Sequence, residues 1–289
     1  ESLKNISNAL SNNQSILSID MTEVEDIESG SSLKTANPNT LFYVPDDMNL
    51  SNINNVVIGT NCGSLHVTDG FGFGTVREFK AVNARYVRTM PAMKNGIKAK
   101  WGTIAMPFDL YSNETVKYYQ LVSVNKNISQ MSFEPVDKVE AGTPAVFELM
   151  DNASELVVNT VNSTVCGSAI NAKVLDNWSM SGAFQKQNLD PFAADYRNMN
   201  IYYIADNSFW YANQTFEVDA FRGWFETSAN LVNAAPMYSI GIDGNGTTGI
   251  NGIIRKDELP KVFSLSGVRM NAPVKGKVNI INNKKVMVK

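Results

Sequence analysis

Between Phe79 and Glu226 the sequence is a succession of short runs in which apolar and polar residues alternate: FKAVNARYVRTM, KWGTIAMPF, KYYQLVSVNK, SFEPVDKV, AVFELM, ELVVNTV, NWSMSGAF, IYYIAD, SFWYA and FEVDAFRGWFE. A period of two sends successive side chains to opposite faces of an extended strand, whereas a helix needs apolar residues three and four apart. A chain built this way folds as sheets with one apolar and one wet face, and two apolar faces close one core. The expectation is a mainly β protein in which 76–239 form an antiparallel β-sandwich with Phe, Tyr and Trp at its centre. Helical signals are confined to two places. In SLKNISNALSNN, Leu3, Ile6 and Leu10 line one stripe of a short helix, and Pro191–Tyr196 suit a single turn.

The texture on either side differs. In 1–75, SILSIDM, TLFYV, NVVIGT and SLHVTDG are brief apolar pieces split by Asn, Asp, Ser and Gly, the rhythm of a leucine-rich or solenoid-like stub. Coils of that kind bury their faces only against stacked neighbours, so such a stub needs a cap or further repeats. The stretch 240–256, with GIDGNGTTGINGI, is rich in turn formers and reads as a linker. In 257–289, VFSLSGVRM and KVNIINNKKVMVK flank NAPVKG and predict a small C-terminal β-hairpin.

Charge and composition exclude several function classes. Lys and Arg total 25 against 28 Asp and Glu, a net charge of −3 with the cations scattered, so no stripe complements a phosphate backbone and nucleic acid is not a partner. No run approaches the roughly 18–20 apolar residues that span a bilayer, so no transmembrane segment is expected in this chain. Glu1-Ser2-Leu3-Lys4 lacks the basic-then-apolar pattern of an export signal, which is expected to lie upstream or to have been removed. Cys62 and Cys166 lack CxxC or Cys/His spacing; they read as free thiols packed as small hydrophobes or, alternatively, as a disulfide pair. Asn113-Glu114-Thr115 and Asn162-Ser163-Thr164 arise from heavy asparagine use and carry no glycosylation reading.

Candidate chemistry is sparse. His66 is the sole histidine, so every His-dependent triad must pass through SLHVTDG, where no nucleophile motif accompanies it. Asp243-Gly244-Asn245-Gly246-Thr247 begins like a calcium loop, but Thr248 and Ile254 stand where Gly and Glu are needed. Asp46-Asp47 reads as a solvated turn. No metal or other cofactor is expected. Glu140, Glu148 and Asp151 are nominal carboxylates for glycoside hydrolysis, a chemistry set by spacing in space rather than in sequence. The aromatic run Phe209-Trp210-Tyr211 is the remaining candidate, because a sugar ring stacks its C–H face on Trp or Tyr. Alternation places Trp210 opposite its two neighbours, and Trp210 and Tyr211 are the ligand-binding candidates.

Taken in order, several segments resemble the C-terminal region of BspA-like leucine-rich-repeat surface proteins of bacteria. They are ANPNTLFYV at 36–44, LHVTDG at 65–70, ARYVRTM at 84–90 with WGTIAMPF at 101–108, AGTPA at 141–145, AFRGWF at 220–225, SLSGVR at 264–269 and KKVMVK at 284–289. The resemblance implies a non-enzymatic secreted or cell-surface module for adhesion or interaction, with its leucine-rich repeats reduced to the stub in 1–75. Its partner would be a host or bacterial surface protein or a glycan. The closing segment is similar to a sorting or attachment unit, departing from that pattern where Lys277 and Val278 replace an aromatic. A carbohydrate-binding module is the alternative function, ahead of a glycoside hydrolase or peptidase.

Overall fold

The computed structural model describes residues 10, 12–25, 27, 33–150, 153–196, 199–228 and 236–242, and the backbone of four strands beyond them. The protein is mainly β. A 3-10 turn at Ala194–Tyr196 falls within the segment read as a single turn. Leu3 and Ile6 of the expected N-terminal helix lie outside the described residues, as does the expected linker beyond Ile242.

The chain divides into a body, Glu1–Thr247, and a terminal unit, Thr248–Lys289. In the terminal unit four strands, Arg269–Met270, Val262–Ser264, Val278–Ile281 and Lys284–Met287, pair antiparallel in that order, where a two-stranded hairpin was expected. Each of the two predicted runs contributes two strands. Ile281 pairs with Lys284.

The body holds two large sheets. A mixed six-stranded sheet runs Ser18–Asp20, Leu41–Val44, Val56–Ile58, Asn61–Thr68, Phe79–Thr89, Glu155–Val165. A ten-stranded sheet runs Asn171–Leu175, Trp178–Ala183, Arg222–Thr227, Asn200–Ala205, Ser208–Tyr211, Met237–Ile242, Gln130–Val136, Val116–Asn125, Pro144–Leu149, Trp101–Ala105, and curls into a half-barrel. The first three strands of the mixed sheet pair parallel, as do Asn61–Thr68 with Phe79–Thr89 and, in the curled sheet, Met237–Ile242 with Gln130–Val136. Alternation fixes which face a side chain takes but not strand direction, so these pairings carry no mark in the sequence.

The last strands of the curled sheet are apolar on both faces, which is why WGTIA and PAVFEL read as nearly continuous apolar runs. Trp101, Tyr119, Leu121 and Val146 point into the curl, where they meet Phe133, Trp178, Tyr202, Phe209, Phe225 and Tyr238. Ile104, Tyr118, Ala145 and Phe147 point the other way and pack with Tyr43, Leu65, Phe79, Tyr86 and Leu156 of the mixed sheet. Gly102 lets this layer close: a Cβ there would lie 2.5 Å from the Phe147 ring.

Alternation slips at one row of the mixed sheet. Buried positions jump from Cys62 to Leu65, from Ala81 to Ala84 and from Thr160 to Ser163. The three slips are neighbours, since Cys62 pairs with Ala81 and Ala81 with Ser163, while Leu65 pairs with Ala84 and Ala84 with Thr160. Gly63 sits in this row, where a Cβ would meet the Ser51 carbonyl oxygen at 2.2 Å, and Asn162 takes φ 52°.

Three buried asparagines tie the first strands together. Asn37 donates to the carbonyls of Ile16 and Gly72, Asn39 to those of Thr68 and Phe71, and Asn55 to those of Pro38 and His66. Each also accepts a backbone N–H, from Asn39, Thr68 and His66 respectively, so all three amides are satisfied without water.

An ion pair bridges the two sheets. Arg222, from the curled sheet, meets Asp69 with both guanidinium nitrogens at 2.8 and 3.0 Å, and Tyr86 donates to the same carboxylate at 2.6 Å. Burial pushes the Asp69 carboxyl up, but the hydrogen bonds and charge of Arg222 outweigh it and hold it below the ordinary carboxylate range. Beside it Arg88 donates to the Thr103 carbonyl at 2.9 Å, and burial with the Arg222 charge pushes its guanidinium down to about 10.

Two predictions follow from this core. Phe225→Ala removes a ring that meets Phe133, Phe209 and Trp178, and should cost ~3–5 kcal/mol, read as a lower urea midpoint with unchanged slope. Asp69 keeps 27% of its side-chain surface, so Asp69→Asn should cost roughly 2–3 kcal/mol at pH 7, less than the ~3–5 of a fully buried pair. Because the folded carboxyl titrates below its unfolded value of about 3.9, the pair stabilises fully above that pH and is lost as pH falls through the folded value. The stability gap between wild type and variant should therefore narrow below about pH 4, and a gap independent of pH would contradict the assignment.

Candidate functional site

The register of the curled sheet decides which side chains face outward. Tyr202, Phe209, Phe225 and Tyr238 fill the curl, so the residues alternating with them face away from it. On that outer face Trp210 pairs with Tyr203, Ile201 with Glu226, Glu226 with Ser179, Trp224 with Ser181, and Ser181 with Asn171. Its centre is closed by a two-stranded flap, Gln187–Leu189 with Phe216–Val218, whose Leu189 and Val218 pack with Ile201 and Trp224. The ring of the flap's Phe216 lies 4.9 Å from that of Tyr203 on the sheet. Two distinct features remain on this face, a polar pocket at Glu226 and the Trp210 corner.

Glu226 is 6% exposed. Its Oε1 accepts the Ser181 hydroxyl at 2.8 Å and the Trp224 indole N–H at 2.6 Å, and its Oε2 accepts the Asn171 amide at 3.1 Å. All three donors are neutral, and none of the ion pairs among the described residues includes this carboxylate. A buried carboxylate of this kind is held in place by its donors but keeps its acceptor capacity on Oε2. A cavity of about 230 Å³ adjoins it, lined also by Asn171, Lys173, Asp176 and Met199. Burial and then the charge of Glu226 raise the Tyr196 phenol above its ordinary value. The Asn171 amide spends both its protons on Ser181 and Glu226. Such a pocket takes hydrogen-bond donors.

Trp210 and Tyr211 stand on opposite faces, as alternation requires. Tyr211 packs against the core of the curl, 5.8 Å from the Tyr202 ring. Trp210 is half-buried on the outer face, with its indole N–H donating to the Ala205 carbonyl at 2.9 Å and Lys94 lying 5.9 Å from its ring. Asp206 and Asn207 form the two-residue tip of this hairpin with φ of 49° and 56°, the left-handed pair that suits a tight turn. The Asn207 side-chain oxygen accepts the backbone N–H groups of Lys100 and Trp101, pinning the tip to the neighbouring loop.

The other residues singled out in the sequence are scattered. His66 is exposed and its ring nitrogen meets Asn54 at 3.1 Å. Cys62 and Cys166 are free; burial pushes the Cys62 thiol up to about 11 and also raises Cys166. Glu140 pairs with Lys138 at 2.8 Å, and Glu148 accepts the Tyr119 hydroxyl at 3.0 Å. Asp151 and the calcium-loop candidate Asp243–Thr247 lie outside the described residues. No group of three metal-ligating side chains occurs among the described residues, and no helix there is long and apolar enough to cross a membrane. A further cavity of about 440 Å³ lies by the first strand of the curled sheet, lined by Tyr119, Leu121, Pro144, Val174, Leu175 and Met180 among others.

Sequence reasoning missed Glu226. The signal available was Trp224-Phe225-Glu226, where period two puts the indole and carboxylate on one face. What could not be read was the arrival of Asn171 and Ser181 from two other strands. The chain matches no protein-family model, no curated protein and no solved structure.

Proposed function

We propose that the chain is a non-enzymatic, glycan-binding module of a secreted or cell-surface bacterial protein, and that the Glu226 pocket receives the sugar hydroxyls. The observation that carries this reading is a buried carboxylate, fixed by three neutral donors, whose remaining acceptor capacity borders a small cavity. Sugar hydroxyls are donors of the right kind, and they satisfy the carboxylate without requiring a countercharge. Trp210 and Glu226 lie on the same face of one sheet, but the strand Asn200–Ala205 and the flap over Ile201 and Tyr203 stand between them, so Trp210 is a separate aromatic contact and the pocket alone carries the reading.

The same proposal includes descent from leucine-rich-repeat surface proteins of the BspA-like type, with 1–75 as a solenoid-like remnant, 76–239 as a sandwich-type body and 257–289 as an attachment unit. Support comes from the parallel pairing of the first three strands and from the buried asparagines that link successive segments, both features of stacked coils. In that setting the glycan belongs to a host or bacterial surface, and adhesion is the outcome of binding it.

A glycan array probed with wild type, Glu226→Gln and Trp210→Ala tests the reading. Gln replaces one acceptor oxygen by a donor, so the wild type should bind a defined glycan set and Glu226→Gln should lose it by roughly tenfold or more. Trp210→Ala should leave that set bound. An array silent for wild type would overturn glycan recognition, and turnover of a bound glycan that disappears in Asp176→Asn would overturn the non-enzymatic assignment.

A further inference from the structure

The mixed sheet ends on a long strand that is open on one side. Glu155–Val165 has 11 residues and pairs along its length with Phe79–Thr89. From Glu155 to Val161 its outer side makes no backbone hydrogen bond among the described residues. Proteins blunt such edges with lysine, proline, bulges or a covering segment, because unpaired N–H and C=O groups recruit another strand. Apart from Glu155 at its start, this edge, ELVVNTV, has no charged residue and no Pro, and Val161 is 66% exposed on it. The kink at Asn162, φ 52°, comes only at its far end.

Beside the edge runs a groove of about 690 Å³ between the turn Asn113–Thr115 and the strand's first half, with Glu155, Val157 and Asn159 along one wall. The turn is rigid, since Asn113 accepts the N–H groups of Thr115 and Val116 and the Thr115 hydroxyl. Glu114 and Glu155 give the groove two negative charges near one end, while at the other end the Arg85 guanidinium donates to Asn159 at 3.3 Å. Its shape fits an extended chain, and its charge selects one that is basic.

We propose that this edge is a docking site for an extended, lysine- or arginine-bearing strand of a partner protein, which would pair as a seventh strand of the mixed sheet. Main-chain hydrogen bonds to the outer groups of Glu155–Val161 would hold it, and Glu114 and Glu155 would select its side chains. A second copy of this chain pairing antiparallel over the same seven residues would set Glu155 opposite Val161 and bring no Lys or Arg to the two carboxylates, which disfavours that occupant. The site lies on the mixed sheet and does not depend on glycan binding.

The test uses the full chain and a fluorescein-labelled peptide, Thr-Lys-Val-Lys-Val-Thr, followed by fluorescence anisotropy at low salt. The expected result is saturable binding, weaker by about tenfold for the same peptide with Glu in place of Lys and for the Glu114→Lys/Glu155→Lys protein. Both substitutions are on exposed side chains, and unchanged thermal unfolding confirms that the variant is folded. N-methylation of one alternating set of peptide amides should abolish binding while methylation of the other set leaves it. Equal binding of both methylated peptides would overturn strand addition, no binding at about 1 mM peptide would overturn the site, and a dimer in light scattering would assign the edge to a second copy.

Discussion

The body depends on a few strands that are apolar on both faces. Trp101–Ala105 and Pro144–Leu149 wall off the inside of the curl with Trp101 and Val146, and cover the mixed sheet with Ile104, Ala145 and Phe147. A sheet with only one apolar face can support a single core, whereas these strands let two cores share one wall. The cost of the arrangement is polar. Asp69 and Arg222 meet where the sheets join, and Arg88 is buried beside them, so each needs the partners it has.

The same wall frees the far side of the curled sheet. Since its core needs are met inside the curl, the strands from Asn171 to Tyr211 can place polar and aromatic groups outward. There a small flap buries Ile201 and Trp224 and leaves the Glu226 carboxylate at the edge of a cavity. Three neutral donors from three different positions orient that carboxylate, which is the kind of support that fixes a side chain's geometry in advance. Trp210 is likewise held, by its bond to Ala205, with its ring plane set in advance. Preorganised contacts of this sort reduce the ordering cost of binding.

Much of this was legible in the sequence because burial imposes a period. The β class, the strand runs and the opposed directions of Trp210 and Tyr211 all come from alternation. The pleat slip through Cys62–Leu65, Ala81–Ala84 and Thr160–Ser163 breaks that period in three strands at once, and each break makes sense only beside the other two. The parallel pairings and the curl are properties of long-range contacts, which carry no local mark. For the same reason Glu140, Glu148 and Asp151 were the carboxylates that stood out, while Glu226 gained its meaning from Asn171, 55 residues away. Asparagine in 1–75 reads mainly as a break between strands, yet Asn37, Asn39 and Asn55 are buried and bind backbone groups of neighbouring segments.

The most direct test of the central claim watches the carboxylate itself. The Trp224 indole N–H donates to Glu226 at 2.6 Å, and the chain has four tryptophans, so its indole signal can be assigned in isotope-labelled protein by single substitutions. Titration with a panel of hexoses and N-acetylhexosamines should shift the Trp224 signal saturably with at least one sugar, and that shift should vanish in Glu226→Gln. A Trp224 signal unmoved by every sugar, or shifts confined to Trp210, would contradict the assignment of the Glu226 pocket as the recognition site.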